Sequence, residues 1–350
     1  MREITPQLDG RLKAHFGDSA AKAEPFPVES YNDLVRIVAE LSYLNRENLL
    51  VFRGQARDFL NKAGASSLYP SLYRRNVLSK ARVERDFTLL DELSAILIEE
   101  TKKLDRRAGD ELRKRRYLQQ SILQHYQVCE TSLLDLSQSL RAACSFAQWS
   151  SSPGYSSPGL VETGFVSATN TTAEPDQGLQ PEPASERAYL YVLAIPFPTG
   201  GISIDSREEI VSVRLLSVCP SLARRPYFQD ALLAGTVDIS DNYEDKNELD
   251  FNRRLVAKFT IPASKEFWDN APGKIDDRLL FPGPEEDPML SLCSTLRSAV
   301  VSLEGLLFAP NHNDPHSDDE KDSREAPIGL TPGAAMSVQD IAYRLRRRLG

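Results

Sequence analysis

An arginine, a glycine and an amide follow directly on a short apolar run. Leu49 to Phe52 are four consecutive apolar residues, and Arg53, Gly54 and Gln55 come next. A run of this length predicts a short buried strand with Arg53 at its end. A guanidinium there can bind a phosphate or a carboxylate through two parallel hydrogen bonds, and a glycine beside it lets a ligand approach the backbone closely. The alternative interpretation is that Arg53 makes a structural ion pair.

Four later stretches add further side chains that could bind or act on a ligand. They are Pro70 to Arg75, Gln124-His125-Tyr126, Thr131 to Asp135, and Arg225 to Gln229. Together with Phe52-Arg53-Gly54-Gln55, they resemble the motifs of the FRG domain, in the same order over residues 30 to 263. The chain departs from that pattern at Gln127, Ser132 and Leu136, where the family usually has glycine, arginine and tryptophan.

A second, weaker resemblance is to the NAD-dependent ADP-ribosyltransferases. These enzymes place an arginine on an early strand, then a Ser/Thr-rich strand that leads into a helix with an Ala-x-x-Phe-Ala pattern, and a glutamate on a later strand. Here Arg53 comes first, Thr131 and Ser132 precede the Ala-x-x-Phe-Ala helix, and Gln229 takes the late position. The order is therefore similar, while the last member is an amide.

The second resemblance implies an NAD site. Arg53 would bind the pyrophosphate and Thr131 would brace the strand beside it. His125 and Tyr126 would contact the ribose or stack on the nicotinamide. The cofactor-binding residues predicted in this way are Arg53, Gly54, Gln55, Tyr126 and Thr131.

The catalytic residues predicted for such a site are His125, Asp135 and Gln229. Cleavage of the glycosidic bond develops positive charge on the ribose, which a carboxylate would stabilise. Gln229 cannot supply that charge, although its amide could hydrogen-bond a ribose hydroxyl. Asp135 and Asp230 are the carboxylates near the motifs, and Asp135 is preferred because it lies within the stronger one. The alternatives are that Asp135 caps a turn and that His125 bonds to the backbone at a helix end.

Periodicity indicates an α+β fold, with a helical N-terminal half packed on a mixed or antiparallel sheet. The second resemblance implies an ADP-ribosyltransferase-like core. The predicted helices run from Ser30 to about Asn45, from Ala81 to Leu104, from Leu112 to Tyr126 after a break at Gly109, around Ala142 to Ala147, from about Leu290 to Leu307, and from about Val338. The predicted strands include Tyr189 to Ile195, Ile210 to Val218 and Leu255 to Ile261.

Composition divides the chain into four parts. Residues 1–28 are predicted to form a loosely packed lead-in. The FRG resemblance implies a domain at 29–263, with a flexible insertion at 150–187 that is rich in Ser, Pro, Gly, Thr and Glu. Residues 264–308 are predicted to form a helical extension, and residues 309–350 are predicted to form a disordered tail that ends in a short basic helix. A short strand is expected within the insertion, near Gly164 to Val166.

Charge and cysteine content limit the kinds of partner and site that the sequence predicts. The formal net charge of −8 gives no global attraction for nucleic acid, but the segment from Lys102 to Arg116 is locally basic and could bind it. The usual interpretation of such a cluster is a solvated helix face. The four cysteines are scattered, so neither a metal site nor a disulfide framework is predicted, and no apolar run is long enough to cross a membrane. A cytoplasmic location is the simplest expectation.

The leading hypothesis is an FRG-domain protein that binds NAD and has an ADP-ribosyltransferase-like or NAD-glycohydrolase activity. The FRG resemblance implies a bacterial or phage-linked setting, in conflict or defence. A rival hypothesis is a non-catalytic module that binds a phosphorylated ligand or nucleic acid. A third is a purely structural protein whose motifs hold the fold together.

Overall fold

The computed structural model describes residues 1–74, 78–150, 186–236, 246–269, 273–307 and 335–349. Within these ranges the fold is α+β, as predicted, with helices packed around a mixed sheet. The predicted strand in the insertion and most of the predicted tail lie outside the described residues.

The helices of the described ranges are numbered in chain order. They are α1 Gly10–Phe16, α2 Tyr31–Leu44, α3 Lys80–Leu104, α4 Arg106–Arg113, α5 Arg116–His125, α6 Leu140–Ser150, α7 Leu215–Val218, α8 Arg225–Phe228, α9 Asp277–Leu280, α10 Pro288–Leu307 and α11 Val338–Leu349. Short 3₁₀ helices occupy Ser71–Tyr73, Lys246–Leu249, Phe251–Arg254 and Lys265–Trp268. The strands are β1 Phe26–Pro27, β2 Leu49–Gln55, β3 Leu133–Ser137, β4 Arg187–Ile195, β5 Ile202–Asp205, β6 Ile210–Arg214, β7 Ala231–Thr236 and β8 Leu255–Pro262.

The strands form one sheet in the order β1-β8-β4-β2-β3-β7-β6-β5. Every neighbouring pair is antiparallel except β1 and β8, which are parallel. Strands β2 and β3 pair only at Phe52 and Ser137, whereas β2 pairs with β4 over its full length. This narrow junction, which we call the seam, joins the two halves of the sheet, and Arg53 is the next residue after it on β2.

Two large apolar clusters pack on the sheet, and β3 and β7 contribute residues to both. The first combines residues of β2, β4 and β8 with the buried faces of α1, α2 and α6. The second combines residues of β6 and β7 with α3, α5, α10 and α11. Helix α5 ends at His125 and α6 begins three residues after β3, so both helices deliver side chains to the seam.

Local sequence signals account for the elements that were predicted correctly. Ser30 caps α2 by accepting a hydrogen bond from the Asp33 main-chain nitrogen at 3.2 Å. The helix then buries Leu34 and Leu41 on the predicted apolar face. Because cap and periodicity agree, the observed bounds differ from the predicted ones by one residue.

The prediction that residues 1–28 are loosely packed is wrong. Leu12 and Phe16 on α1 are buried, and β1 pairs with β8. Asp9 caps α1 by accepting from the Leu12 main-chain nitrogen at 2.7 Å, which starts a two-turn helix with both apolar side chains on one face. Residues 1–28 therefore belong to the folded core.

Three boundaries were also misplaced. The break in the long helical region lies at Asp105, which ends α3 and caps α4 by accepting from Ala108, while Gly109 lies inside α4. The strand predicted from Ile210 to Val218 ends at Arg214 and continues as α7. Arg187, assigned to the insertion, is the first residue of β4.

The predicted basic helix at the chain end is present as α11, and it is packed, contrary to the expectation for the tail. Ile341 and Leu345 are fully buried in the second apolar cluster. Arg344 binds Glu99 at 2.8 Å, and Arg348 binds Glu92 at 2.9 Å. The terminal arginines thus dock this helix on α3. Among the described helices, none is both long and apolar enough to cross a membrane.

Candidate functional site

The five motif stretches meet at the seam. Arg53 contacts the main-chain oxygen of Asp135, and His125 contacts its carboxylate. The segment that follows Pro70 contacts Thr131 through Ser71. Residues far apart in the chain are therefore neighbours here. Two hydrogen bonds connect α8 and the residue after it to the seam. Arg225 donates to the His125 carbonyl, and the main-chain oxygen of Gln229 accepts from the Ser137 hydroxyl.

Arg53 is held by two acceptors of the chain. Its Nη1 donates to the main-chain oxygen of Asp135 at 2.5 Å. The side-chain oxygen of Gln55, in the amide orientation that these donors require, accepts from Arg53 Nε at 2.8 Å and Nη2 at 3.2 Å. A guanidinium has five N–H groups, and three are used in these bonds. The other two N–H groups, one on each terminal nitrogen, have no acceptor in the part of the chain that the structure describes.

The charge of a second guanidinium, that of Arg74, acts on Arg53. Burial and then the positive charge of Arg74 lower the pKa of Arg53 to about 10, opposed by Asp135 and Tyr191. Burial also lowers the pKa of Arg74, although this residue keeps an exposed surface. Two like charges that repel each other inside protein favour an anion between them.

The position of Arg74 follows from a hydrogen-bonded corner beneath it. Ser71 Oγ accepts from the Thr131 main-chain nitrogen at 2.9 Å and donates to Gln124 Oε1 at 3.1 Å. Thr131 Oγ1 donates to the same Gln124 oxygen at 2.7 Å. Arg74 Nε donates to the Tyr69 carbonyl at 3.1 Å. Thr131 therefore braces the Arg74 segment as well as the start of β3, while its predicted part in an NAD site stays a prediction.

His125 and Asp135 form a side-chain pair. His125 Nδ1 lies 3.2 Å from Asp135 Oδ2 and 3.4 Å from Oδ1. The carboxylate can only accept from this nitrogen, so Nδ1 carries a proton. The histidine side chain is 1% exposed, whereas that of Asp135 is 35% exposed. The structure thus brings two of the predicted catalytic residues together, with the carboxylate accessible and the imidazole behind it.

Tyr126 does not lie where the NAD hypothesis requires it. Its side chain is fully buried in the second apolar cluster. Its hydroxyl donates to Asp287 Oδ2 at 2.7 Å. Burial, followed by the charge of Asp287, raises the pKa of this hydroxyl. Tyr126 was predicted to contact ribose or nicotinamide, and that prediction is wrong because the ring faces the core.

Gln229 is also turned away from a ligand. The residue is buried, and its Nε2 donates to the Leu280 carbonyl at 2.7 Å. The main-chain oxygen of Gln229 accepts from Ser137 Oγ at 2.7 Å. The predicted contact with a ribose hydroxyl is therefore wrong for this conformation, and Gln229 connects α8, α9 and the end of β3. Asp230, the other carboxylate considered, has φ of 46° and a pKa raised by burial.

Gly54 has a packing role rather than the predicted ligand contact. A Cβ at Gly54 would lie 1.9 Å from the Ala143 carbonyl oxygen and 2.9 Å from the Ala147 Cβ, both on α6. The close approach that the glycine permits is that of a helix. Gln55, by contrast, contributes to the site through Arg53.

The basic cluster from Lys102 to Arg116 is largely paired with acids. Five of its eight cations form ion pairs: Lys102 with Asp110 at 2.9 Å, Lys103 with Glu100 at 2.7 Å, Lys114 with Glu111 at 2.9 Å, Arg115 with Glu111 at 3.5 Å, and Arg116 with Asp91 at 3.2 Å. Because these carboxylates offset the local field, the cluster offers less attraction for nucleic acid than its sequence indicates.

Sequence reasoning missed two arginines as site residues. Arg74 and Arg225 lie inside stretches that were recognised, but neither was assigned a role. Tyr191 was also missed: it is directly opposite Arg53 on β4, and its hydroxyl donates to Asp58 Oδ1 at 3.0 Å. The available signal was the repeated occurrence of arginine in the matched stretches.

The chain matches no protein-family model, no curated protein and no solved structure in comparisons with all three. The FRG and ADP-ribosyltransferase resemblances therefore stay predictions from motifs. In the part of the chain that the structure describes, no group of three His, Cys, Asp or Glu side chains is arranged to hold a metal ion.

Proposed function

We propose that the seam binds NAD as a substrate and cleaves its bond between ribose and nicotinamide. The observation that carries the proposal is the arrangement of Arg53, Arg74 and Asp135. The charges of Arg74 and Asp135 both act on Arg53, two N–H groups of Arg53 have no acceptor among the described residues, and Asp135, whose main-chain oxygen Arg53 binds, has an accessible carboxylate. These features suit a ligand with a pyrophosphate at one point and a developing positive charge at another.

Each residue has a distinct part in this mechanism. Arg53 and Arg74 hold the pyrophosphate and fix the ribose in relation to Asp135. The glycosidic bond breaks with its electron pair going to the nicotinamide nitrogen, and the negative charge of Asp135 stabilises the cationic ribose carbon. His125 is a positioning residue, because its Nδ1–H holds the carboxylate from behind. Water, or a nucleophile of a macromolecular acceptor, then bonds to that carbon and loses a proton.

The test compares wild type with Asp135→Asn, which retains the main-chain oxygen that Arg53 needs. Nicotinamide release from NAD is followed by chromatography, and NAD binding by calorimetry. We expect release to fall by about 100-fold or more with binding retained, because a charge-stabilising group has been removed. Asp230→Asn is the matched control and should release nicotinamide at the wild-type rate.

Other outcomes separate the hypotheses. Binding of NAD by both proteins without release by either, also with candidate acceptors present, would favour the non-catalytic module for a phosphorylated ligand. That rival is supported by the orientation of Gln229, whose side-chain amide donates to the Leu280 carbonyl and not to a ligand. Absence of NAD binding to folded wild type would reject the NAD proposal itself. The setting we propose is the cytoplasm, in the bacterial or phage conflict that the FRG resemblance implies.

A further inference from the structure

A buried arginine beside the seam has donors that no described residue accepts. Arg225 is 3% exposed, and its Nε and Nη2 are buried without a hydrogen-bond partner. Its Nη1 makes one long hydrogen bond, 3.5 Å, to the His125 carbonyl. A buried guanidinium usually has its donors satisfied, because taking a charge out of water without a partner is costly.

The same region holds a second unpaired nitrogen. His125 Nε2 is buried and has no hydrogen-bond partner. Since Nδ1 donates to Asp135, Nε2 accepts a hydrogen bond in the neutral ring and donates one in the charged ring. The His125 ring centre lies 5.8 Å from that of Tyr126, and the guanidinium carbon of Arg225 lies 5.2 Å from the same centre, so both side chains with unpaired nitrogens border one ring.

The surrounding side chains do not supply the missing acceptor. The guanidinium carbon of Arg225 lies 5.2 Å from the ring centre of Tyr126 and 5.3 Å from that of Phe281. Asp287 is the nearest buried carboxylate, and it accepts from the Tyr126 hydroxyl and from the Arg225 main-chain nitrogen at 3.1 Å. Burial raises the pKa of the neighbouring Cys293 thiol, which keeps it neutral.

We infer that Arg225 and His125 form an internal subsite for an oxyanion with a protonated oxygen, such as monohydrogen phosphate or a phosphate monoester. Oxygen atoms would accept from Arg225 Nε and Nη2, and a hydroxyl of the anion would donate to His125 Nε2 when the ring is neutral. Phe281 is half-buried, so displacement of its ring would open a path to the guanidinium. The inference goes beyond the proposed function and does not depend on NAD as the substrate.

The first test measures the midpoint of thermal unfolding with and without inorganic phosphate. Arg225→Met removes the guanidinium and keeps an apolar stem. We expect phosphate to raise the Tm of wild type by about 3 °C more than that of this variant. Without phosphate, the variant should melt at or above the wild-type temperature, since an unpaired buried charge has been removed.

Arg254→Met is the matched control, because the side chain of Arg254 is also buried but all three of its nitrogens are paired. They donate to Ala194, Glu208 and Asn48 at 2.8, 2.7 and 3.2 Å. Arg254→Met should therefore melt at a lower temperature than the wild type. An equal loss in Arg225→Met, with the phosphate response retained, would overturn the inference. Loss of that response in Arg74→Met alone would assign phosphate to the Arg53 and Arg74 site and would likewise overturn it.

A second measurement covers the case in which Arg225→Met does not fold. The chain has four histidines, so their ring nitrogens can be resolved by ¹⁵N NMR and assigned by substitution. Phosphate should shift the Nε2 signal of His125 in the wild-type protein, and Arg74→Met should show the same shift. An unchanged His125 signal at saturating phosphate would reject the subsite. None of these readouts depends on nicotinamide release, so failure of the subsite and failure of the proposed function can be told apart.

Discussion

Arg53 replaces a strand-to-strand hydrogen bond at the point where β2 and β3 separate. Its Nη1 donates to the main-chain oxygen of Asp135 at 2.5 Å, and these residues are one and two positions from Phe52 and Ser137, the single paired position. The same guanidinium is fixed by Gln55. One arginine therefore holds the two halves of the sheet together and presents its unused N–H groups at the seam, so the structural and functional interpretations of Arg53 are compatible.

Substitution of Arg53 by lysine tests this double role. Lysine keeps the charge but cannot bond Asp135 and Gln55 at once through a planar fork. We expect the free energy of unfolding to fall by about 1–3 kcal/mol, since a buried carbonyl loses its donor. Urea denaturation measures the change. Gln55→Glu, which retains an acceptor for Arg53, is the control and should lose less. An unchanged stability in Arg53→Lys would show that the bond to Asp135 does not support the seam.

Substitution of Gly54 by alanine should be severely destabilising. The added Cβ would lie 1.9 Å from the Ala143 carbonyl oxygen, a backbone atom that cannot rotate away. Displacing α6 from β2 costs about 3 kcal/mol or more, at the upper end for overpacking. Gly10→Ala is the control, because a Cβ at Gly10 meets nothing within 4 Å. Thermal unfolding of both variants is the measurement, and similar Tm values would refute the packing role.

Local elements could be predicted because their signals lie within a few residues. The Ser30 cap defined α2, and the apolar run before Arg53 defined the start of β2. The contact between His125 and Asp135 joins residues ten apart, and both lie in motifs that were recognised. For these features, neighbouring side chains specify the structure.

Side-chain direction was the part that sequence could not provide. Tyr126 finds its acceptor in Asp287, 161 residues away, and Gln229 finds Leu280, 51 residues away. A tyrosine or glutamine at a helix end has the same sequence signature whether its polar group faces a ligand or a distant buried partner. Gly54 is similar, because only the position of α6 decides what approaches it. Tertiary packing resolves these cases.

Replacement of Tyr126 by phenylalanine should reduce stability without changing NAD affinity. The substitution removes the donor to Asp287 and leaves a buried carboxylate with one hydrogen bond fewer. The expected loss is about 1–3 kcal/mol in the free energy of unfolding. Chemical denaturation and NAD calorimetry give the two quantities. Tyr43→Phe, at a residue that is 70% exposed, is the control and should change neither. A large loss of NAD affinity in Tyr126→Phe would restore the cofactor role.

The segment that carries Arg74 should become less stable as pH rises, because of Asp250. Asp250 Oδ1 accepts from the main-chain nitrogens of Leu68 at 2.8 Å and Asn252 at 3.0 Å. Burial raises the pKa of this carboxyl to about 6, although those two hydrogen bonds oppose the shift. Its pKa in the unfolded chain is about 3.9. The associated stability is present in full below the unfolded value and is lost as pH rises through about 6.

Asp250→Asn keeps the acceptor for Leu68 and Asn252 and cannot ionise. Relative to this variant, wild type should therefore lose about 2 kcal/mol in the free energy of unfolding between pH 4.5 and pH 7, an order-of-magnitude figure. Urea denaturation at several pH values measures that difference. Asp276→Asn is the control, since exposed Asp276 caps α9 in the same way, accepting from Arg278 at 2.8 Å. If the difference in unfolding free energy between wild type and Asp250→Asn is the same at every pH, as expected for Asp276→Asn, ionisation of Asp250 does not destabilise the fold. Any pH dependence of the wild type would then have another source.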